Sequence, residues 1–159
     1  MGPSRQHQKV KKADWKTKPM HSDNTILSVH REFTCSEFKE LQKGILPQQM
    51  EDKWFIYFED NCLYFHRSWT GYCIYVAKFK TVEGKDCITK VILNRRKNQC
   101  GETNDPWDLS LLLYLIDSML LHKSIPFPKH PEIDSEDKQV LKQWGIVGRH
   151  MLHAKNNKL

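Results

Sequence analysis

Residues 53–76 read Lys-Trp-Phe-Ile-Tyr-Phe-Glu-Asp-Asn-Cys-Leu-Tyr-Phe-His-Arg-Ser-Trp-Thr-Gly-Tyr-Cys-Ile-Tyr-Val, and this stretch decides the fold. Two turn signals, Asp60-Asn61 and Thr70-Gly71, divide it into three segments rich in aromatic and β-branched residues. Asp and Asn tolerate the positive φ angles that tight hairpin turns require. The stretch therefore predicts three antiparallel strands joined by short turns.

If each turn has two central residues, the register follows. The first turn pairs Glu59 with Cys62, Tyr57 with Tyr64 and Phe55 with His66. The second pairs Trp69 with Tyr72, Arg67 with Ile74 and His66 with Tyr75. Because side chains alternate along a strand, we predict an apolar core face that carries Trp54, Ile56, Phe58, Leu63, Phe65, Ile74 and Val76. The opposite, second face carries Phe55, Tyr57, Glu59, Tyr64, His66, Ser68, Cys73 and Tyr75.

Arg67 does not fit this register, because its parity places it on the core side. One alternative puts it at the sheet edge, with its guanidinium on the Trp69 ring. The other is a longer 70–71 turn and a slipped register, which would move side chains to the other face. Residues 67–71 would then form an anion-binding loop from Arg67, the hydroxyls of Ser68 and Thr70, and the Gly71 amide. The sequence leaves both alternatives open.

The rest of the chain predicts an α+β domain. We predict strands at about 53–59, 62–69, 72–80 and 87–94, and 26–33 could add a short strand. Thr34 and Glu37 form a capping box before a helix at about 36–43. Asn104-Asp105-Pro106 begins the strongest helix, at about 106–122, and a third is expected at about 135–152. The predicted fold is a four-stranded, mainly antiparallel meander packed against three helices.

The net charge of +6 is concentrated at the N-terminus. The first 19 residues hold six basic residues against Asp14, so the remainder is nearly neutral; the six are Arg5, Lys9, Lys11, Lys12, Lys16 and Lys18. We predict a disordered basic arm at 1–25, a single domain at 26–153 and a polar tail at 154–159. The arm is either a solvated tail or a segment that contacts phosphates or serves as a nuclear address.

Composition narrows the remaining classes. No apolar run approaches the ~20 residues that span a bilayer, and the N-terminus lacks the apolar core of a secretory signal. We therefore predict a cytoplasmic or nuclear protein with no membrane partner and with its five cysteines reduced. No Cys-x2-Cys pair is present, and we predict neither a metal nor a cofactor. A zinc site built from scattered Cys and His, or a chelating pair at His150 and His153, stays an alternative.

The second face has two interpretations. It is either an amphipathic layer covered by a helix or a binding floor. On a floor, Tyr57, Tyr64 and Tyr75 would stack on a planar ring. His66 and Glu59 would supply acid–base chemistry. A triad of Ser68, His66 and Asp60 is not favoured, because neighbours on one strand do not produce that geometry.

A longer motif spans Trp54-Phe55-Ile56-Tyr57-x-Glu59-Asp60-x-x-Leu63-Tyr64-x-His66-Arg67-Ser68-Trp69-Thr70-Gly71. It resembles a family of small, poorly characterised proteins, many of them bacterial and some associated with ADP-ribose macrodomain proteins. The resemblance takes in about residues 50–130, including the Ile125-Pro126-Phe127-Pro128 run, and excludes the arm. It implies a nucleotide-like or ADP-ribose-like ligand and assigns no catalytic residue.

We accordingly predict binding of a nucleotide-like phosphorylated ligand on the second face, through Tyr57, Tyr64, Arg67, Ser68, Thr70, Gly71 and Tyr75. One alternative is a hydrolase or transferase with Glu59 and His66 as acid and base. Another is a nucleic-acid-binding accessory protein that uses the basic arm, and a fourth is a protein–protein adaptor. The sequence identifies no protein partner.

Overall fold

The computed structural model describes residues 9–101, 104–129 and Ile146. Its elements are β1 (Asn24–Phe33), α1 (Cys35–Leu41), β2 (Trp54–Glu59), β3 (Cys62–Arg67), β4 (Cys73–Val82), β5 (Lys85–Asn94), the single turn α2 (Lys97–Cys100) and α3 (Asp105–Tyr114), which continues as a π-helical segment, Leu115–Leu120. The strands form one antiparallel sheet in the order β1-β5-β4-β3-β2. The predicted α+β class with an antiparallel sheet is confirmed.

The predicted number of strands is wrong, because β1 joins the sheet as a fifth strand. It runs for ten residues and pairs with β5. This pairing joins segments about sixty residues apart in the chain, so no local turn signal announces it. Within the described residues, two helices, α1 and α3, exceed a single turn. The helix predicted at 135–152 falls, apart from Ile146, outside those residues, as does the 154–159 tail.

Local signals set the bounds of both helices. The Thr34 hydroxyl accepts from the Glu37 amide at 3.1 Å, and the Glu37 carboxylate accepts from the Thr34 amide at 3.0 Å, which confirms the capping box. Gly44 follows α1 with a φ of 72°, and a Cβ there would lie 2.2 Å from the Ile56 carbonyl oxygen. At α3, the Asn104 side chain accepts from the Trp107 amide at 2.8 Å.

The β2–β3 hairpin has the predicted register. Asp60 and Asn61 have φ angles of 52° and 60°, as a two-residue hairpin turn requires. Tyr57 lies opposite Tyr64 and Phe55 opposite His66.

The predicted β3–β4 register is wrong. His66 lies opposite Cys73 rather than Tyr75, and a bulge follows, so that Phe65 lies opposite Tyr75. The cause is a loop longer than two residues: the Gly71 amide donates to the Arg67 carbonyl at 2.8 Å, and the Arg67 amide donates to the Tyr72 carbonyl at 3.0 Å. The slipped register, left open by the sequence, is the one that forms.

The slip moves the β4 side chains from Tyr75 onward to the opposite face, whereas Cys73, which lies opposite His66, stays on the second face. Tyr75 packs on the core face, 5.9 Å from the Trp54 ring and 6.0 Å from the Phe65 ring. Val76, predicted for the core face, lies opposite Tyr64 and thus on the second face. The core lies between the sheet and α3, and its fully buried members include Ile56, Leu63, Phe65, Ile88, Val91, Leu93, Leu112 and Leu115.

Candidate functional site

Residues 9–20, which belong to the predicted arm, lie across one end of the second face. The Trp15 ring stacks over Phe55 at 6.4 Å, and its indole N–H donates to the Ser68 carbonyl at 2.8 Å. The Lys18 amide donates to the Gly71 carbonyl at 2.8 Å. This segment therefore covers the part of the second face that we predicted to be a binding floor.

His66 is buried beneath this cover. Its Nδ1 lies 2.9 Å from the Gly71 carbonyl oxygen, which can only accept, so Nδ1 carries the proton and donates. Nε2 is buried without a hydrogen-bond partner among the described residues. The ring stacks on Tyr57 at 5.6 Å. Burial lowers the pKa of His66 from its ordinary value, against the Gly71 hydrogen bond, and the nearby Lys12 charge lowers it further.

Glu59 and His66 are not brought together. Glu59 is exposed at the β2–β3 turn opposite Cys62, whereas His66 lies opposite Phe55, four residues back along β2. At ~3.3 Å of rise per residue, that is a separation of roughly 13 Å along the strands. The two groups cannot share a proton donor or acceptor in this arrangement.

The three predicted stacking tyrosines are divided between the faces. Tyr57 and Tyr64 stack on each other at 4.8 Å on the second face. Burial raises the pKa of both, that of Tyr64 to about 12. Tyr75 lies on the core face, where its hydroxyl donates to Asp108 at 2.9 Å. The three tyrosines therefore do not form one stacking platform.

A cleft instead surrounds Arg67, at the end of the sheet where the loop after β3 meets the segment after β5. It consists of two cavities of about 350 Å³ each, and Arg67 and Gln99 line both. The inner cavity is also lined by Trp54, Ile74, Tyr75, Cys100, Trp107 and Asp108. The outer cavity is also lined by Lys53, Ser68, Trp69, Thr70, Tyr72 and Asn98.

The Arg67 guanidinium lies at the centre of this cleft. It stacks over the Trp54 ring at 4.7 Å, not over Trp69 as one alternative had it, and it donates to the Ile146 carbonyl at 3.3 Å. Burial lowers the pKa of Arg67, although an arginine stays charged at any physiological pH. A planar cation thus lies on one face of an aromatic ring in the wall of the cleft, and a guanidinium is the group that recognises phosphate or carboxylate through two parallel hydrogen bonds.

The other three residues of the predicted anion loop are engaged within the fold. The Ser68 hydroxyl donates to the Asp52 carbonyl at 2.6 Å, and the Thr70 hydroxyl accepts from the Tyr72 amide at 3.2 Å. The Gly71 amide closes the loop. Both hydroxyl residues line the outer cavity. Ser68 has donated its hydroxyl proton and can still accept, whereas Thr70 accepts and can still donate. The Gly71 amide is already bonded to Arg67 and is not available to an anion.

Sequence reasoning missed several lining residues, among them Lys53, Asn98, Gln99 and Trp107. Lys53 stands over the Trp69 ring at 4.4 Å, and Trp69 is 57% exposed. The sequence Arg95–Gln99 predicts a polar loop. The adjacent amides Asn98 and Gln99 are the feature of that loop that could have indicated a binding role. Nothing in the sequence places that loop beside Arg67.

The five arm lysines that the structure describes remain exposed. Lys9 donates to the Gln42 side chain at 3.2 Å, and the Lys18 ammonium lies 4.7 Å from the Tyr72 ring centre. In residues 9–20, Asp14 is the one acidic residue. Arg5 falls outside the described residues. All five cysteines are free thiols, and the pair His150 and His153 is likewise not described.

Comparisons with protein-family models, with curated proteins and with solved structures gave no match. The likeness to the family with ADP-ribose associations stays an expectation from the motif. Among the described residues, no helix has the length and apolar character needed to cross a membrane.

Proposed function

We propose that this protein binds a nucleotide-like or ADP-ribose-like phosphorylated ligand in the cleft around Arg67. The observation that supports the proposal is the meeting of two cavities at one guanidinium and one amide side chain, Arg67 and Gln99. The site differs from the sequence prediction, which placed the ligand on the second face.

The lining of the cleft matches the parts of such a ligand. Arg67 would bind the phosphate, since a guanidinium contacts two phosphate oxygens at once. Trp69 is 57% exposed, and Lys53 stands over one face of its ring, so a base could stack on the other face. Asn98 and Gln99 supply amide donors and acceptors for sugar hydroxyls or base edges.

Binding would be tested by titrating the full chain with AMP, ADP, ADP-ribose and, as a phosphate-free probe, adenosine. We expect the phosphorylated compounds to raise the melting temperature, because a ligand specific for the folded state stabilises it. Arg67→Lys keeps the charge but loses the planar fork, and should weaken binding by ~10-fold or more, equivalent to ~1.4 kcal/mol.

Lys90→Met is the matched control, because Lys90 is an exposed cation of β5 away from the cleft. It should leave the dissociation constant unchanged. The proposal fails if no phosphorylated probe binds, or if Arg67→Lys binds as tightly as the parent while remaining folded.

A second candidate function, binding of a single-stranded nucleic acid, is favoured by the arm. Residues 9–18 hold five exposed lysines in a segment that is anchored to the sheet and ends beside Tyr72 in the cleft wall. A row of cations that leads to the cavity lined by Tyr72 and the exposed Trp69 suits a nucleic-acid backbone with stacking bases.

This candidate is tested by changing the five lysines, Lys9, Lys11, Lys12, Lys16 and Lys18, to Gln together. We expect oligonucleotide affinity to fall and the slope of log affinity against log salt to flatten by ~0.7 per lost phosphate contact. Five exposed lysines elsewhere, Lys78, Lys80, Lys85, Lys90 and Lys97, changed to Gln, are the control. Equal losses in both variants would mean that net charge alone attracts the oligonucleotide.

A further inference from the structure

Three metal-ligating side chains of different types meet on the second face, at the end away from the cover of residues 9–20. His30 and Glu32 lie two residues apart on β1 and so point to the same side. Cys87 of β5 lies directly opposite Glu32. An irregularity in the register between Lys90 and Ile88 reverses the alternation of β5. The reversal turns Cys87 to the second face while Ile88 enters the core.

The distance between His30 and Glu32 is that of a pair of zinc ligands, and the Cys87 sulfur lies nearby. His30 Nε2 lies 3.2 Å from Glu32 Oε1, and these two atoms and Cys87 Sγ all lie within 4.8 Å of one another. Two nitrogen or oxygen ligands of a tetrahedral zinc ion, each at ~2.0–2.2 Å, are ~3.3 Å apart, and a sulfur ligand at ~2.3 Å lies slightly farther away. Of the three ligand atoms, the Cys87 sulfur is the one that would have to move closer to the other two when zinc binds.

An ion pair with Lys85 fixes the orientation of the Glu32 carboxylate. Lys85 Nζ lies 3.3 Å from Glu32 Oε2, so the second carboxylate oxygen is already held and Oε1 faces His30. Such outer hydrogen bonds orient metal-ligating carboxylates. A neutral imidazole, a carboxylate and a thiolate together carry two negative charges, which balance a divalent ion. The Cys87 thiol would release its proton to solvent on binding.

We propose that His30, Glu32 and Cys87 bind Zn²⁺, with a fourth position open to water. Three protein ligands with one open position are usual for zinc sites that are not closed structural ones. The site is independent of the Arg67 cleft. It departs from our sequence-based expectation of no metal and is close to the alternative of a zinc site built from scattered Cys and His, with Glu32 as a further ligand. The ligands lack a Cys-x2-Cys or His-x3-His spacing that would have marked them.

The test uses the full chain, stripped with a chelator and titrated with Zn²⁺ in competition with a chromophoric chelator, and separately with Co²⁺. We expect one equivalent to bind, and the cobalt form to show a thiolate-to-metal charge-transfer band. Cys87→Ser should abolish that band. His30→Ala and Glu32→Gln, which change exposed side chains, should each weaken zinc binding by more than ~10-fold, the loss that removal of even an outer partner can cause.

Cys35→Ser removes another thiol, an exposed one at the start of α1, and serves as the matched control. It should retain both the stoichiometry and the cobalt band. A cobalt spectrum without sulfur ligation overturns the proposal, and so does unchanged zinc affinity in His30→Ala and Glu32→Gln. The last two variants keep the test valid even if Cys87→Ser disturbs folding.

Discussion

At the scale of single residues, His66 and Arg67 exchange the roles that the sequence indicates. His66, expected to lie in an open site, is enclosed, and Arg67, which did not fit the predicted register, lines the candidate site. The imidazole is enclosed between aromatic rings and the arm, with one nitrogen bonded to Gly71 and the other buried. The guanidinium lines both cavities of the cleft. Both residues lie on β3, where alternation along the strand directs His66 to the second face and Arg67 to the core face. What surrounds each side chain then decides its role: residues 9–20 cover His66, whereas Arg67 lies between the loop after β3 and the segment after β5.

The burial of His66 predicts acid sensitivity. Its pKa is lowered in the folded state, so the unfolded chain binds the proton more readily. The contribution of His66 to the free energy of unfolding is therefore fully present above its ordinary pKa of about 6.5. As the pH falls below that value, the contribution decreases by up to ~1.4 kcal/mol per pH unit. Urea unfolding measured between pH 7.5 and pH 5 should show this slope.

His66→Gln should remove most of that slope, since the amide does not titrate. His122→Asn is the control, because His122 is exposed beside Glu40 and is not enclosed. A slope that survives in His66→Gln would assign the acid sensitivity to other groups.

At the scale of elements, residues 9–20 act as part of the domain rather than as a separate arm. They hold the β3–β4 loop at two points, the carbonyls of Ser68 and Gly71. A Cβ at Gly71 would meet the Lys16 carbonyl oxygen at 3.1 Å, which shows how closely the two segments approach. The same loop lines the outer cavity. Residues 9–20 therefore contact both the second face, which they cover, and the loop that forms one wall of the cleft.

Trp15→Ala is expected to destabilise the protein by ~1–3 kcal/mol, through the loss of a half-buried ring and of the hydrogen bond to Ser68. Amide hydrogen exchange should then show faster exchange at Lys18 and Gly71.

Trp69→Ala is the comparison for that variant. Trp69 is 57% exposed, so its loss should cost less than ~1 kcal/mol and leave the exchange at Lys18 unchanged. Equal unfolding midpoints for Trp15→Ala and the parent would show that residues 9–20 do not hold the second face.

At the scale of the whole molecule, polar contacts, most of them partly buried, join the sheet to the helices. Asp108 of α3 accepts from Tyr75 at 2.9 Å and from Arg95 at 2.7 Å, and Arg95 also pairs with Asp105. At the other side, two nitrogens of Arg31 donate to Asp117 at 3.0 and 2.7 Å. The contacts of Asp108 hold β4 and the segment after β5 against α3, and Tyr75 and Asp108 line the inner cavity of the cleft.

Much of this architecture follows from local rules. Three features depend on residues close together in the chain, and each was predicted correctly. They are the β2–β3 hairpin with its register, the capping box before α1 and the start of α3. Turn residues, capping residues and alternation suffice for such features, because the atoms that interact are already neighbours in sequence.

Contacts between distant segments determine three other features. These are the pairing of β1 with β5, the five-residue loop at 68–72 and the docking of residues 9–20. The candidate sites are of this second kind. Arg67 meets Gln99 across an intervening hairpin, and His30 and Glu32 meet Cys87 across the sheet. The sequence determined which chemical groups are available on which strand. Packing of the sheet against α3 decided which of them share a cavity, because burial of the core sets the register and the register sets the faces.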